Sequence, residues 1–252
     1  MKNKIYLVGS GPGGLGLLTQ RAQEIINAAD VVLYDQLPGE VILSSLPAHA
    51  EKINCGKFGG KHTLEQAEIE ALIIDRARTG KCVVRLKGGD PFLFGRGGEE
   101  LETIRAAGID VELVPGITSA LAVPASVGIP VTHRDYASQV TILTGHEDPL
   151  KPESALDWEL LARSRGTIVI LMGVANLGTI AGALISNGKS GNTPVAIIER
   201  GLRKDRRVTI GVLSDIGSIA KKTGVKPPAV IVIGDVVNMY DPTQPDLIPC
   251  EG

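Results

Sequence analysis

The segment Ile5–Ala29, IYLVGSGPGGLGLLTQRAQEIINAA, joins a short apolar run to a glycine-rich loop and an amphipathic stretch. Four consecutive apolar residues, Ile5–Val8, are typical of a strand that is buried on both faces. After the glycines, apolar residues recur at helical spacing, at Leu18, Ala22, Ile25, Ile26 and Ala29. A strand, a tight turn and a helix in this order predict the first unit of a parallel α/β sheet.

The rest of the first half repeats this alternation. Further buried strands are predicted at Val31–Tyr34, Cys82–Leu86 and Val111–Val114. Thr63 and Gln66 match a capping box, which predicts a helix with Ile69, Leu72, Ile73 and Ala77 on its apolar face and its end at Gly80. Strands separated by helices imply parallel pairing with right-handed crossovers.

The pattern changes at Pro115-Gly116, and we expect a domain boundary there. The chain between Arg200 and Ile210 is too short for a crossover helix, so a hairpin and a mixed second sheet are predicted. We therefore predict two α/β domains, residues 1–115 and 116–240, and a proline-rich tail, 241–252, lying loosely on the surface. The strands predicted in the second domain are Val140–Thr144, Thr167–Met172, Val195–Glu199, Val208–Ile210 and Val230–Ile233.

Composition excludes several classes of protein. A formal net charge of −2 over 252 residues gives no general attraction to nucleic acid or membrane, so neither partner is expected. The three cysteines form no CxxC pair, and the N-terminus runs directly into a strand, which favours a reduced, cytoplasmic protein. The four histidines lack metal-ligand spacing, so no metal site is predicted.

The first glycine loop allows two interpretations. Gly9–Gly14 matches GxGxxG after a strand, and Asp35 closes the second strand, where a ribose-binding acid would lie. This segment alone fits NAD or FAD binding as well as it fits a tight turn. However, equally specialised loops follow two other strands, at Lys87–Pro91 and Pro115–Ala120. Because open α/β sheets bind ligands at the carboxyl ends of their strands, a site built from three loops is the better prediction.

These loops also carry a resemblance. GSGPGG…LLT, VVLYDQL, CGKFGGKHTLEQAEIEALI, VVRLKGGDPFLFGRGGEE and VPGITSALAVPASVGIPVTHR occur in order, followed by TGH, LMG, PVAIIERG and PPAVIVIGDVV. Over residues 4–238 the chain resembles the tetrapyrrole methylase family, and within it the enzymes that act on uroporphyrinogen III. The resemblance implies two α/β domains with an active site in the cleft between them, and a homodimer. It also implies S-adenosylmethionine as methyl donor, and methylation at C2 and C7 to give precorrin-2.

The resemblance assigns site residues by position. Asp35 corresponds to a proton acceptor and Lys57 to a proton donor. Two departures from the family pattern occur, Gly13-Gly14-Leu15 in place of GDP and Leu202-Arg203 in place of a threonine pair. The residues that the resemblance assigns to S-adenosylmethionine are Pro12, Gly88, Gly89, Asp90, Leu93, Thr118, Ser119, Met172 and Gly201.

A tetrapyrrole with eight carboxylates requires local cations on a protein that is acidic overall. Arg96 and Arg134 follow loops expected at the cleft, and arginine binds carboxylates in a bidentate manner, so both are predicted to hold substrate. Glu99 has three readings: orienting Arg96, assisting proton transfer, or stabilising a helix N-terminus. Lys61 and His62 lie in a glycine-flanked loop that could cover substrate.

Three alternatives remain at this point. A methylase of the same family could act on a later corrin intermediate or on a non-tetrapyrrole acceptor, but the FGRGGEE and THR segments favour uroporphyrinogen III. A nicotinamide or flavin oxidoreductase depends on the first glycine loop and Asp35. A non-catalytic ligand-binding module is disfavoured by the number of specialised loops.

Overall fold

The protein is described from a computed structural model, which covers residues 4–56, 65–147 and 154–248. The chain divides into two compact units, one ending at Thr118 and the other beginning at Ser119. Each unit contains one five-stranded sheet with helices. The predicted fold class, two α/β domains, is therefore confirmed.

The first unit is a parallel sheet with the strand order β3-β2-β4-β1-β5. Two elements of this unit, β3 and α2, were not predicted from the sequence. The strand β3, with the sequence EKIN, is a short edge strand that lacks the apolar run of a buried strand. The elements are β1 (Lys4–Gly9), α1 (Gln20–Asn27), β2 (Val31–Tyr34), α2 (Gly39–Ser44), β3 (Glu51–Asn54), α3 (Gln66–Arg78), β4 (Cys82–Lys87), α4 (Gly97–Ala106) and β5 (Asp110–Val114).

Both faces of this sheet are covered, which explains why its central strands are continuously apolar. Tyr6 and Val8 of β1 pack with α1 and α2 on one face. Ile5 and Leu7 of the same strand pack with α3 and α4 on the other. Burying each large apolar side chain contributes roughly 1.5–3 kcal/mol before entropy costs are counted. The strand β1 is thus the centre of two cores.

The start of α3 corrects one prediction. The helix begins at Gln66 with Glu65 as its N-cap, and the Glu65 backbone N–H donates to Glu68 Oε2 at 2.7 Å. The capping pair is therefore Glu65 and Glu68 instead of Thr63 and Gln66, and Thr63 lies outside the described residues. As the first helical residue, Gln66 is free of a capping role and reaches Glu70 and Glu100 instead.

The second unit has the strand order β6-β7-β10-β8-β9. Among the described pairs of neighbouring strands, β6 with β7 is parallel, whereas the β8–β9 hairpin and the pairings of β10 with β7 and β8 are antiparallel, which confirms the predicted mixed sheet. The elements are α5 (Ser119–Ser126), β6 (Val140–Thr144), α6 (Trp158–Arg163), β7 (Thr167–Leu171), α7 (Leu177–Ser186), β8 (Pro194–Glu199), β9 (Arg207–Val212), α8 (Ile216–Thr223) and β10 (Ala229–Ile233).

The tail is bound more closely than the sequence predicted. The Leu247 backbone N–H donates to the Ser126 carbonyl at 2.9 Å, and Asp246 forms an ion pair of 2.7 Å with Arg206. Proline and polar residues indicate a lack of regular structure, but they do not exclude such single anchoring bonds. The described part of the tail is therefore attached to the second unit.

Candidate active site

The carboxyl ends of all five strands of the first unit lie along one edge of its sheet, because the strands are parallel. The predicted residues Pro12, Asp35, Gly88 and Thr118 all lie in loops that leave this edge. The loop after β3 leads to Lys57, which lies outside the described residues, as do Lys61 and His62. The edge is therefore where the structure brings most predicted residues of this unit together.

The loops after β1 and β4 are bound to each other. The Ser10 N–H donates to the Lys87 carbonyl at 2.8 Å, and Gly11 and Gly89 exchange two backbone hydrogen bonds of 3.1 and 2.7 Å. Gly11 and Gly89 have φ angles of 71° and 65°, in the left-handed region that favours glycine. Strand pairing thus continues beyond the sheet as an antiparallel bridge.

The loop after β5 packs directly on this bridge. A Cβ at Gly116 would lie 2.2 Å from the Gly89 carbonyl oxygen, and one at Gly9 would lie 2.6 Å from the Gly116 nitrogen, so neither Gly116 nor Gly9 tolerates a side chain. Glycines in such loops commonly allow a ligand to approach the backbone closely. The structure adds a second reason, which is close approach of one loop backbone to another.

Asp90 holds these loops in place. Its Oδ1 accepts from the Phe92 N–H at 2.8 Å, and its Oδ2 accepts from the Gly116 N–H at 3.1 Å. The Leu93 N–H donates to the Asp90 carbonyl at 3.3 Å. Each carboxylate oxygen has a second lone pair, so Asp90 can still accept from a ligand.

Asp35 follows β2 and combines the two roles that its position allows. Its Oδ1 accepts from the Leu37 N–H at 2.9 Å, which makes it a turn-forming residue. Its Oδ2 lies 4.0 Å from Arg85 Nη2, and a quarter of the side chain is exposed. One oxygen is therefore fixed by the backbone, while the other faces a cation.

Charged groups that the sequence analysis did not single out lie beneath this edge. Glu100 of α4 is fully buried, with its Oε1 3.1 Å from Arg85 Nε and its Oε2 2.9 Å from Lys87 Nζ. Burial lowers the pKa of Lys87, whereas the carboxylate of Glu100 opposes this effect. Burial also raises the pKa of the nearby Cys55 thiol. A signal existed in the sequence: two cations at alternate positions of a buried strand must share a face and need a buried partner.

Arg96 and Glu99 lie at the start of α4 and pair with each other. Arg96 is the N-cap residue, with a φ of 57°, and its Nη2 lies 2.6 Å from Glu99 Oε2. Both side chains are exposed, and the hydrogen bond from Arg96 lowers the pKa of Glu99. This geometry favours the orienting role for Glu99. The residue also lies in the first helical turn, where an acid is favourable.

In the second unit, β6, β7 and β8 run in the same direction and end at the same edge. Met172 and Gly201 follow β7 and β8 there. Met172 has a φ of 58° and is half exposed. A Cβ at Gly201 would lie 2.4 Å from Val123 Cγ1 of α5, the helix that Ser119 begins. These predicted residues are therefore brought to one edge of their own unit.

Arg134 lies at the opposite edge of this second sheet. It lines a shallow pocket of about 310 Å³ together with Gln139, Arg165 and Gly166. The Gln139 carbonyl accepts from the N–H of Thr167, the first residue of β7, so the pocket lies at the amino ends of the strands. Within this unit, Arg134 therefore lies at the opposite end of the strands from Met172 and Gly201.

In residues 4–56, 65–147 and 154–248, no three histidine, cysteine or acidic side chains are grouped closely enough to hold a metal ion. None of the helices within those ranges has the length and apolar character needed to cross a bilayer.

Comparison with known proteins identifies the family. Residues 4–217 match the family described as Tetrapyrrole (Corrin/Porphyrin) Methylases. This match covers well over half of the chain, and close relatives cover nearly all of it. The chain therefore belongs to the tetrapyrrole methylases, and the resemblance found in the sequence is confirmed.

Two relatives show which members of the family this chain is similar to. The chain is 60% identical to the S-adenosyl-L-methionine-dependent uroporphyrinogen III methyltransferase of Methanosarcina barkeri, over 94% of this chain and 93% of that protein. It is 48% identical to siroheme synthase 1 of Cronobacter sakazakii over 95% of this chain, but it spans only 50% of that longer protein.

Among solved structures, it is similar to the uroporphyrin-III C-methyl transferase of Thermus thermophilus, solved in complex with S-adenyl homocysteine. The TM-score is 0.80 at 38% identity, and the match covers 94% of this chain and 100% of that one.

Proposed function

We propose that this chain transfers methyl groups from S-adenosylmethionine to C2 and C7 of uroporphyrinogen III, giving precorrin-2. The observation that supports the proposal most is the agreement between the family-matching loops and the geometry. Four loops of the first unit leave one sheet edge, in a chain 60% identical to a uroporphyrinogen III methyltransferase. Strand carboxyl ends are the usual ligand-binding edge of open α/β sheets.

The first glycine loop argues against a dinucleotide enzyme. In the dinucleotide fold, the pyrophosphate rests on the N-terminus of a helix that begins directly at the glycine loop. Here α1 begins only at Gln20, after a separate 3-10 turn at Leu15–Leu17, and Thr19 already caps it by accepting from the Ala22 N–H. The loop therefore lacks the helix end that a pyrophosphate would use.

The residues proposed to bind S-adenosylmethionine fit that group in character. A Cβ added at Gly13 would meet no described atom within 4 Å, so the backbone next to Pro12 is open to a ligand. Asp90 keeps acceptor capacity for a donor group, and the half-exposed Met172 offers a polarisable surface. The proposed set is Pro12, Gly88, Gly89, Asp90, Leu93, Thr118, Ser119, Met172 and Gly201.

When bound, S-adenosylmethionine supplies an electrophilic methyl group on sulfur. The protein's main contribution is alignment, since holding reactants in attack geometry can supply about 7–11 kcal/mol. Asp35 accepts the proton that the methylated ring loses, and its orientation is fixed by the Leu37 N–H. Lys57 acts as the proton donor.

Substrate carboxylates are bound by arginine. Arg96 is held by Glu99 in a bidentate pair, so its guanidinium is already oriented and can use its remaining N–H groups for a carboxylate. Arg134 is retained as a second candidate, although its pocket lies at the other end of its strands from Met172. A homodimer and a cytoplasmic location also remain predictions.

The deciding experiment is incubation with uroporphyrinogen III and methyl-labelled S-adenosylmethionine, followed by mass spectrometry. We expect a tetrapyrrole product that has gained two labelled methyl groups. A product with none would contradict the proposed function. As a control for cofactor class, S-adenosylhomocysteine should raise the melting temperature, whereas NAD should not.

Asp35→Asn tests the catalytic role. In the methylase, this change should spare the affinity for S-adenosylhomocysteine and slow turnover by about 10²–10⁴-fold, because the base is lost. In a dinucleotide enzyme the same change would chiefly weaken cofactor binding. Normal turnover by the variant would leave Asp35 as a turn residue only.

A further inference from the structure

Three charged side chains form a buried triad beneath the carboxyl edge of the first sheet: Arg85 and Lys87 of β4, and Glu100 of α4. Their side chains are 6%, 6% and 0% exposed. Glu100 Oε1 accepts from Arg85 Nε at 3.1 Å, and both of its oxygens accept from Lys87 Nζ at 2.9 Å. Two cations against one carboxylate leave the triad with an excess of positive charge.

This excess charge faces Asp35. Arg85 uses Nε for Glu100, while its Nη2 lies 4.0 Å from Asp35 Oδ2, at the outer limit of an ion pair. Lys87 contributes a weaker, longer-range attraction to Asp35. Among the described residues, Cys55 also interacts electrostatically with Asp35, and burial keeps its thiol in the neutral form by raising its pKa. Lys57, two residues further along, lies outside the described residues. From α3, the uncharged Gln66 donates to Glu100 at 3.2 Å.

A purely stabilising role does not explain the triad. Taking three charges out of water is costly, and well-packed apolar residues of similar volume often serve stability equally well. The remaining residues of β4 on both faces are apolar, including Val83, Val84 and Leu86. The charges are concentrated at the end of the strand that lies next to Asp35.

We propose that Glu100 and Arg85 are positioning residues, which hold the Asp35 carboxylate in place through the ion pair with Arg85. This inference rests on the proposed function, in which Asp35 is the proton acceptor. In that step the C–H electron pair of the methylated ring returns to the ring, and the proton forms an O–H bond with Asp35. Glu100 fixes the guanidinium, and the guanidinium attracts Oδ2 of Asp35, while the Leu37 N–H holds Oδ1.

The direct test is an NMR titration of ¹³C-carboxyl-labelled aspartate, with Asp35 assigned from the Asp35→Asn spectrum. Arg85→Met removes the facing cation, so Asp35 should take up its proton at a higher pH in this variant than in the native protein. Arg85→Lys retains the charge without the planar fork and should restore most of this difference. Since this titration needs no turnover, it is independent of the proposed substrate.

Two matched variants separate positioning from general damage. Lys87→Met also deprives Glu100 of a partner but leaves Arg85 in place, so it should move the titration less than Arg85→Met does. Arg76→Met removes an arginine that pairs with Glu51 at 2.9 Å, at the amino end of β3, and should leave Asp35 unchanged. An unmoved titration in Arg85→Met, or an equal shift in Lys87→Met, would overturn the proposal.

Kinetics provide the second readout. The acid limb of the kcat profile should move to higher pH in Arg85→Met, in step with the titration. Glu100→Gln should lower kcat by about tenfold, less than loss of the base itself, while the Kd for S-adenosylhomocysteine stays within about threefold. If Glu100→Gln fails to fold, the comparison of Arg85→Met with Arg85→Lys decides whether Arg85 positions Asp35. Native protein without methylation activity would overturn the proposed function, whereas the titration would still decide the positioning.

Discussion

Each unit has one sheet edge that bears predicted site residues, and the two edges are built differently. After β1 and β4, the left-handed turns are made by Gly11 and Gly89. The loop after β5 packs on them so closely that a Cβ at Gly116 would lie 2.2 Å from the Gly89 carbonyl oxygen. After β7 and β8, left-handed positions are occupied by Met172, Arg200 and Leu202, with φ angles of 58°, 47° and 64°. At the bridge between the loops after β1 and β4 the first edge uses glycine, although Phe94 and Arg96, further along the loop after β4, are also left-handed, with φ angles of 54° and 57°. The second edge has side chains at all three of its left-handed positions named here, at a cost in strain.

This difference indicates what each edge is selected for. A left-handed residue with a Cβ costs roughly 1–2 kcal/mol, and glycine would avoid that cost. A non-glycine residue at a left-handed position is explained if its side chain has a role that glycine cannot fill. The first edge thus depends on backbone packing, and the second depends on particular side chains.

The edges also share one feature, a fully buried glutamate at or below the strand end. Glu100 is paired with two buried cations, whereas Glu199 is paired with the partly exposed Arg207 and with the Lys226 N–H. Burial alone would raise the pKa of Glu199, but the hydrogen bonds from Arg207 and Lys226 lower it below its ordinary value.

The largest effect is therefore expected for Glu199→Gln. Breaking a buried ion pair from one side costs about 3–5 kcal/mol, so the free energy of unfolding at pH 7 should fall by that order. A carboxyl with a depressed pKa stabilises the fold above its unfolded pKa of about 4.3, and this contribution is lost as pH falls through the folded value. Urea unfolding should show the two proteins converging below about pH 4. A difference that is constant with pH would contradict this account.

Gly116→Ala is expected to have the next largest effect. The added Cβ would lie 2.2 Å from the Gly89 carbonyl oxygen, so the loops must separate at a cost of about 1–3 kcal/mol. Binding of S-adenosylhomocysteine, measured by calorimetry, should be lost with the loop arrangement. Gly98→Ala is the control, because that helical site is open and alanine should stabilise it by up to about 1 kcal/mol. Normal binding by Gly116→Ala would remove loop packing from the description of the first edge.

The smallest effect concerns Met172. Met172→Ala and Met172→Gly both remove the side chain and should weaken S-adenosylhomocysteine binding to a similar degree. Only the glycine variant relieves the left-handed strain, so it should be the more stable of the two by about 1 kcal/mol, as measured by thermal unfolding. If Met172→Ala were at least as stable, the second edge would not be strained as described.

Much of the fold was predictable because it depends on local patterns. Continuous β-branched runs identified the central strands of both sheets, and the short Arg200–Ile210 connection identified the hairpin. The edge strand β3 was missed, since an edge strand with the sequence EKIN has no need of an apolar run. The start of α3 was misassigned because a glutamate cap, Glu65, lies beside a pattern that fits the usual rule better.

The candidate site was less predictable, because it depends on which loops and side chains from distant parts of the sequence lie close together in space. Asp35 and Gly88–Asp90 could be found, since each directly follows a strand. Arg134 could not be placed, because the loop after α5 returns to the amino ends of β6 and β7 before those strands begin. The pairing of Arg85 with Glu100 joins a strand to a helix, and sequence spacing gives no measure of that distance.

The backbone bridge between Gly11 and Gly89 has a consequence for motion. Their mutual hydrogen bonds make the tip of the Gly88–Asp90 loop an extension of the β1–β4 ladder instead of a separate flap. Amides of a mobile loop exchange with solvent through local opening, whereas amides of a central ladder exchange only when the sheet itself opens. The Gly11 and Gly89 amides should therefore exchange as slowly as those of the strands, so that a ligand meets a surface already set before it arrives.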